Sequence, residues 1–96
     1  MKKRGFVPKV IDGDTFEVEV DSSTTERIRL EGVNAPELNT PEGIKAKQKL
    51  EELVLYEDVE YEEKAKDVYG RIVAQVWVDG INVNEEMKDF IRQYKR

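Results

Sequence analysis

Phe16, Val18 and Val20 alternate with Thr15, Glu17 and Glu19, a period of two that predicts a half-buried strand. The alternation returns from Arg27 to Val33, with Ile28 and Leu30 on one face and Arg27, Arg29 and Glu31 on the other; Gly32 suits a bulge. Upstream, the apolar run Gly5–Ile11 contains Pro8, which has no amide to donate, so it predicts an edge or bulged strand. Asp12-Gly13-Asp14 joins the first two runs as a hairpin turn, the glycine supplying the unusual backbone angle. Asp21–Thr25 is a polar connection.

After a loop over Asn34–Asn39 the period changes. Thr40-Pro41-Glu42 is a helix start, with Thr as N-cap and Pro at the first helical position. Ile44, Ala46, Leu50, Leu53 and Val54 then form one apolar face. Val59–Glu63 predicts a polar-rich strand, Lys64–Gly70 a turn region, and Arg71–Val78 the most hydrophobic strand, with Trp77 and Phe16 in the core. Asp79-Gly80 is a type I′ hairpin signal leading into Ile81-Asn82-Val83. Asn84 is placed as cap of a last helix whose inward stripe is Met87, Phe90, Ile91 and Tyr94. Five short strands, one helix between the third and fourth, and a C-terminal helix predict a five-stranded Greek-key barrel of the OB-fold type, an all-β barrel with helices. Residues 1–96 fit one domain.

Composition narrows the chemistry. The chain has no Cys and no His, which removes disulfides, thiolate chemistry, most catalytic zinc sites and the commonest general base. Any bound metal is then a hard, oxygen-liganded cation such as calcium or magnesium. Lys and Arg total 16 against 21 Asp and Glu, a formal charge of −5, which argues against indiscriminate coating of nucleic acid. Basic residues gather at the termini: Lys2, Lys3, Arg4 and Lys9, then Arg92, Lys95 and Arg96. No apolar run approaches a membrane span, and no hydrophobic segment follows the charged start, so a cytoplasmic monomer is expected, without excluding secretion of a longer precursor.

The polar clusters fall at strand ends. Ile11-Asp12-Gly13-Asp14-Thr15, Arg29-Leu30 leading to Val33-Asn34-Ala35-Pro36-Glu37, Asp67-Val68-Tyr69-Gly70-Arg71, and Asp79-Gly80 with Val83-Asn84-Glu85 together resemble the staphylococcal nuclease (thermonuclease-like) family in order and spacing. The resemblance spans roughly residues 6–94. It implies a calcium-dependent phosphodiesterase acting on single-stranded DNA or RNA. By position, Asp14 would be a calcium ligand, Asn34 would stand where the family usually has a second ligand Asp, and Ala35 would offer its carbonyl. Arg29 and Arg71 would clamp the scissile phosphate, Glu37 would orient or deprotonate the attacking water, and Tyr69 would help hold the nucleotide. Asp12 reads as turn-forming. The chemistry stands without the name, because two guanidinium forks, a divalent cation and a carboxylate suit phosphodiester hydrolysis. The alternative is an inactive OB-fold module that binds nucleic acid or a protein partner.

Overall fold

The computed structural model describes residues 2–93, so Tyr94 of the expected inward stripe and the terminal Lys95 and Arg96 lie outside the described residues. The strands are β1 (Lys3–Asp12), β2 (Thr15–Asp21), β3 (Thr24–Leu30), β4 (Asp58–Lys66), β5 (Ile72–Val78) and the two-residue β6 (Ile81–Asn82). Helix α1 (Pro41–Val54) separates β3 from β4, and α2 (Val83–Arg92) follows β6. The sheet runs β3-β2-β1-β4-β5-β6, and β3 also pairs with β5. That last pairing is parallel (Ile28↔Ile72, Arg29↔Val73, Leu30↔Ala74) and closes a five-stranded barrel in which the other neighbours are antiparallel.

The period-two pattern selects the core. Phe16, Val18, Ile28 and Leu30 are fully buried with Val7, Val59, Tyr61 and Val76, while Leu50, Val54 and Met87 bring the two helices onto the barrel. Thr40 caps α1 as expected, its hydroxyl accepting from the Gly43 amide at 3.0 Å, with Pro41 opening the helix. Asp79 and Gly80 both have positive φ (51° and 81°), as a type I′ turn requires.

Several expectations are corrected. β1 lies between β2 and β4 and is no edge; a register shift between Phe6 and Lys9 accommodates Pro8, which leaves the bulge half of the expectation standing. β3 stops at Leu30 rather than Val33, because Gly32 (φ +75°) turns the chain and the Val33 amide donates to Leu30 O. β4 runs on to Lys66, because β5 pairs with it into the first residues of the expected turn. Ile44 is half exposed and belongs to no core face. Trp77 is only partly covered, its ring lying under the Lys2 ammonium at 4.1 Å.

Asn84 is not a cap. Asn82 takes that role, accepting from the Glu85 amide at 2.8 Å. Asn84, the second residue of α2, is fully buried, and its side chain accepts from Val76 N–H (2.9 Å) and donates to Glu31 O and Ala74 O (3.0 Å each). It pins α2 to β5 and to the end of β3.

Candidate active site

Barrel closure brings distant segments to one end. Thr15 pairs with Arg29 across β2–β3, and Arg29 pairs with Val73 across the β3–β5 seam. The turn before β2, the loop after β3 and the turn before β5 therefore meet. Gly13 earns its place by space rather than by backbone angle: a Cβ there would lie 2.6 Å from the Ala46 Cβ of α1 and 2.7 Å from the Ala35 Cβ. This close fit holds the Asp12–Asp14 turn against the loop that carries Ala35.

Asp12 forms the turn, its Oδ1 accepting from the Asp14 amide at 3.0 Å. Burial, followed by the adjacent Asp14 carboxyl, pushes the Asp12 acid above its ordinary value. Asp14 is the more committed group. Its Oδ1 accepts from the Thr15 hydroxyl at 2.9 Å and its Oδ2 from the Ala35 amide at 3.0 Å. Arg29 reaches the same carboxylate, Nη2 to Oδ2, at 3.7 Å. The Arg29 guanidinium also donates to Leu30 O at 2.7 Å, to Val33 O, and to Asn34 Oδ1 at 2.9 Å. Arg29 thus holds the first turn of the loop after β3 and draws Asp14 and Asn34 toward one point.

Arg71 enters from the opposite edge. Its Nε donates to Asp67 Oδ2 at 2.6 Å, its amide donates to Asp67 Oδ1 at 2.9 Å, and its Nη1 donates to the Thr15 hydroxyl at 3.4 Å. Burial acts to raise the Asp67 acid, but the hydrogen bonds from Arg71 and from the Tyr69 amide outweigh it and hold the carboxyl below the ordinary carboxylate value. The Tyr69 ring is mostly exposed, with the Arg71 guanidinium 5.4 Å from its centroid.

Of the expected site residues, Asp14, Arg29, Asn34 and Ala35 form one contact set, and Arg71 with Tyr69 joins it through Thr15. Glu37 lies on the same loop with an exposed side chain, and its anchoring is through the backbone. Its carbonyl accepts from the Thr40 hydroxyl (2.6 Å) and amide (3.0 Å) and sits against Gly43. Sequence reasoning gave no role to Thr15 or Asp67. Asp67 carried a signal, standing four positions before Arg71 with opposite charge; Thr15 read only as the polar face of a strand.

The chain matches the family described as Staphylococcal nuclease homologue over residues 27–89. It belongs to that family. It is 42% identical over 76 residues to Protein ParB of Escherichia coli, covering 79% of this chain and 42% of the relative. It is 39% identical over 74 residues to a micrococcal nuclease of Shigella flexneri, covering 77% and 42%. An uncharacterized endonuclease of Escherichia coli shares 42% identity over 84 residues, covering 86% and 54%. The chain spans about half the length of the curated relatives it matches.

In this staphylococcal nuclease homologue the donor chemistry can be tested against a cation. Asp14 offers carboxylate oxygen, Asn34 amide oxygen and Ala35 carbonyl oxygen, a hard set that fits calcium or magnesium better than softer metals. The set is poor in charge, and among the described residues no group of three or more His, Cys, Asp and Glu side chains is arranged to hold a metal. Fit in kind goes with weakness in strength. No helix among the described residues is long and apolar enough to cross a membrane.

Proposed function

We propose that this domain is a nuclease that hydrolyses phosphodiester bonds of single-stranded DNA or RNA with the help of calcium. The observation that carries the reading is the convergence of Arg29 and Arg71 on the Asp14–Thr15 pair from opposite sides of the barrel seam.

The residues divide the work by chemistry. Arg29 and Arg71 present planar forks to the scissile phosphate, where charge on the non-bridging oxygens grows in the transition state. Their carboxylate and hydroxyl partners fix both forks before substrate arrives. Glu37, exposed on the loop after β3, takes a proton from the attacking water as the water oxygen bonds to phosphorus and the bond to the leaving sugar oxygen breaks, that oxygen taking a proton from solvent. A positioned base of this kind contributes roughly 10²–10⁴-fold. A calcium ion on Asp14, Asn34 and the Ala35 carbonyl would neutralise phosphate charge and lower the pKa of bound water. Tyr69 supplies a ring for the nucleotide.

Asn34 favours a second reading, an OB-fold module that binds without cutting, since it removes one negative charge from the metal set. One experiment separates the two: cleavage of single-stranded DNA across a calcium titration by the wild type, Arg71→Ala and Asn34→Asp. The nuclease reading expects wild-type cleavage at high calcium, its loss in Arg71→Ala, and a lower calcium requirement in Asn34→Asp. Calorimetry on Asn34→Asp should show calcium binding about tenfold tighter, following the added ligand charge. No cutting by wild type or Asn34→Asp at any calcium level would leave the binding module as the surviving reading.

A further inference from the structure

One rung along the sheet from the reaction centre lies a second polar feature. The pair Thr15↔Arg29 is followed on the same outer face by Glu17↔Arg27, two residues further and so roughly 6.5–7 Å away. Glu17 and Arg27 line a cleft of about 490 Å³ whose other wall is Tyr69, Gly70 and Arg71. The cleft is therefore continuous with the phosphate clamp through Arg71 and is about one nucleotide from it.

The chemistry of its walls is mixed. Arg27 Nη2 meets Glu17 Oε2 at 3.5 Å, a loose contact with the Arg27 side chain 54% exposed. A site for a second phosphate would not keep a carboxylate beside its only new cation. A nucleobase edge, by contrast, needs a donor and an acceptor side by side. Tyr69, a residue 80% exposed, gives the flat surface on which such a base stacks.

We propose that this cleft is a nucleobase subsite in which Tyr69 stacks the base beside the Arg71 guanidinium and the Glu17–Arg27 pair reads guanine. Guanine offers a carbonyl to the Arg27 fork and two adjacent N–H groups to the Glu17 carboxylate. Thymine and uracil turn a second carbonyl toward Glu17, which repels it. The inference rests on the nuclease reading only in taking single-stranded nucleic acid as the ligand.

The test is an amide NMR titration of the wild-type chain in metal-free buffer with two single-stranded dodecamers, one all thymidine and one alternating guanosine with thymidine. The guanosine strand should bind about tenfold more tightly, as expected of a well-formed bidentate base contact, and should shift the Glu17, Arg27 and Tyr69 amides. Both Glu17→Ala and Arg27→Ala should bring the two strands within about twofold. Equal binding of the strands by the wild type overturns the proposal, as does binding of neither. A preference that survives Glu17→Ala overturns it too, since it would report only the better stacking of a purine. So does an equal loss for both strands in Arg27→Ala, the mark of a plain phosphate contact. Cleavage plays no part in this readout. A chain that shows the Glu17-dependent preference yet cuts nothing with calcium would remove the nuclease reading and keep the subsite.

Discussion

Arg71 Nη1 donates to the Thr15 hydroxyl at 3.4 Å, and that hydroxyl donates in turn to Asp14 Oδ1 at 2.9 Å. One buried threonine is thus the link between the β5 arginine and the carboxylate expected to hold metal. Thr15→Val keeps the shape and removes both bonds. Hydrogen bonds to charged groups are worth about 1.5–3 kcal/mol, so kcat/KM for single-stranded DNA should fall by at least about tenfold. Thr15→Ser should restore most of it. Steady-state kinetics with a thermal melt on each variant check this; a Val variant that cuts at the wild-type rate removes Thr15 from the site.

Gly43 offers a reversal of sign. Gly to Ala inside a helix ordinarily stabilises by about 1 kcal/mol. Here a Cβ would lie 1.8 Å from Glu37 O and 2.9 Å from Pro36 O, so the loop must move. The strain exceeds the helical gain, and Gly43→Ala should lose about 1–3 kcal/mol. Because the displaced carbonyl belongs to Glu37, kcat should fall more than KM rises. Urea unfolding and a full kinetic curve read the two effects separately.

Asn84 carries three hydrogen bonds with no exposed surface. Asn84→Ala strands the Val76 amide and weakens the satisfaction of two carbonyls. A cost of about 2–4 kcal/mol is expected, each stranded buried group costing about 1–3 kcal/mol. Chemical denaturation measures it. A loss under about 0.5 kcal/mol would class Asn84 with ordinary surface positions.

Tyr61 sets an alkaline limit. Its phenol is buried and donates to Glu26 Oε1 at 3.0 Å. Burial first, then the hydrogen bond and charge of Glu26, raise its pKa well above the ordinary phenol value. A folded-state pKa raised above the unfolded one gives stability that is complete below about pH 10 and declines as pH rises beyond it. Denaturation near pH 8 and near pH 11 should show that decline in the wild type and a flatter profile in Tyr61→Phe.

The strands and the α1 start were legible because each rests on a local rule: alternation for Phe16, Val18, Ile28 and Leu30, and a cap followed by proline at Thr40-Pro41. Asp14, Arg29 and Arg71 stood out as charges at strand ends. What was not legible depends on contacts between segments far apart. Thr15 looks like any outward residue until Arg71 arrives over it from β5. Asn84 resembles a helix cap until the barrel wall supplies its three partners. Gly13 signals a turn in any sequence, and only the approach of Ala35 and Ala46 shows that it answers a need for room. Pro8 warned correctly of a bulge but said nothing of β1's central position.

The parallel seam between β3 and β5 has a temporal meaning. A growing chain that has emerged only through α1 already holds Asp14, Arg29, Asn34 and Glu37, while Arg71 waits for the strand that closes the barrel. The full set of candidate residues belongs to the closed ring and to none of its segments. In a nascent chain the candidate site therefore stays incomplete until β5 pairs with β3.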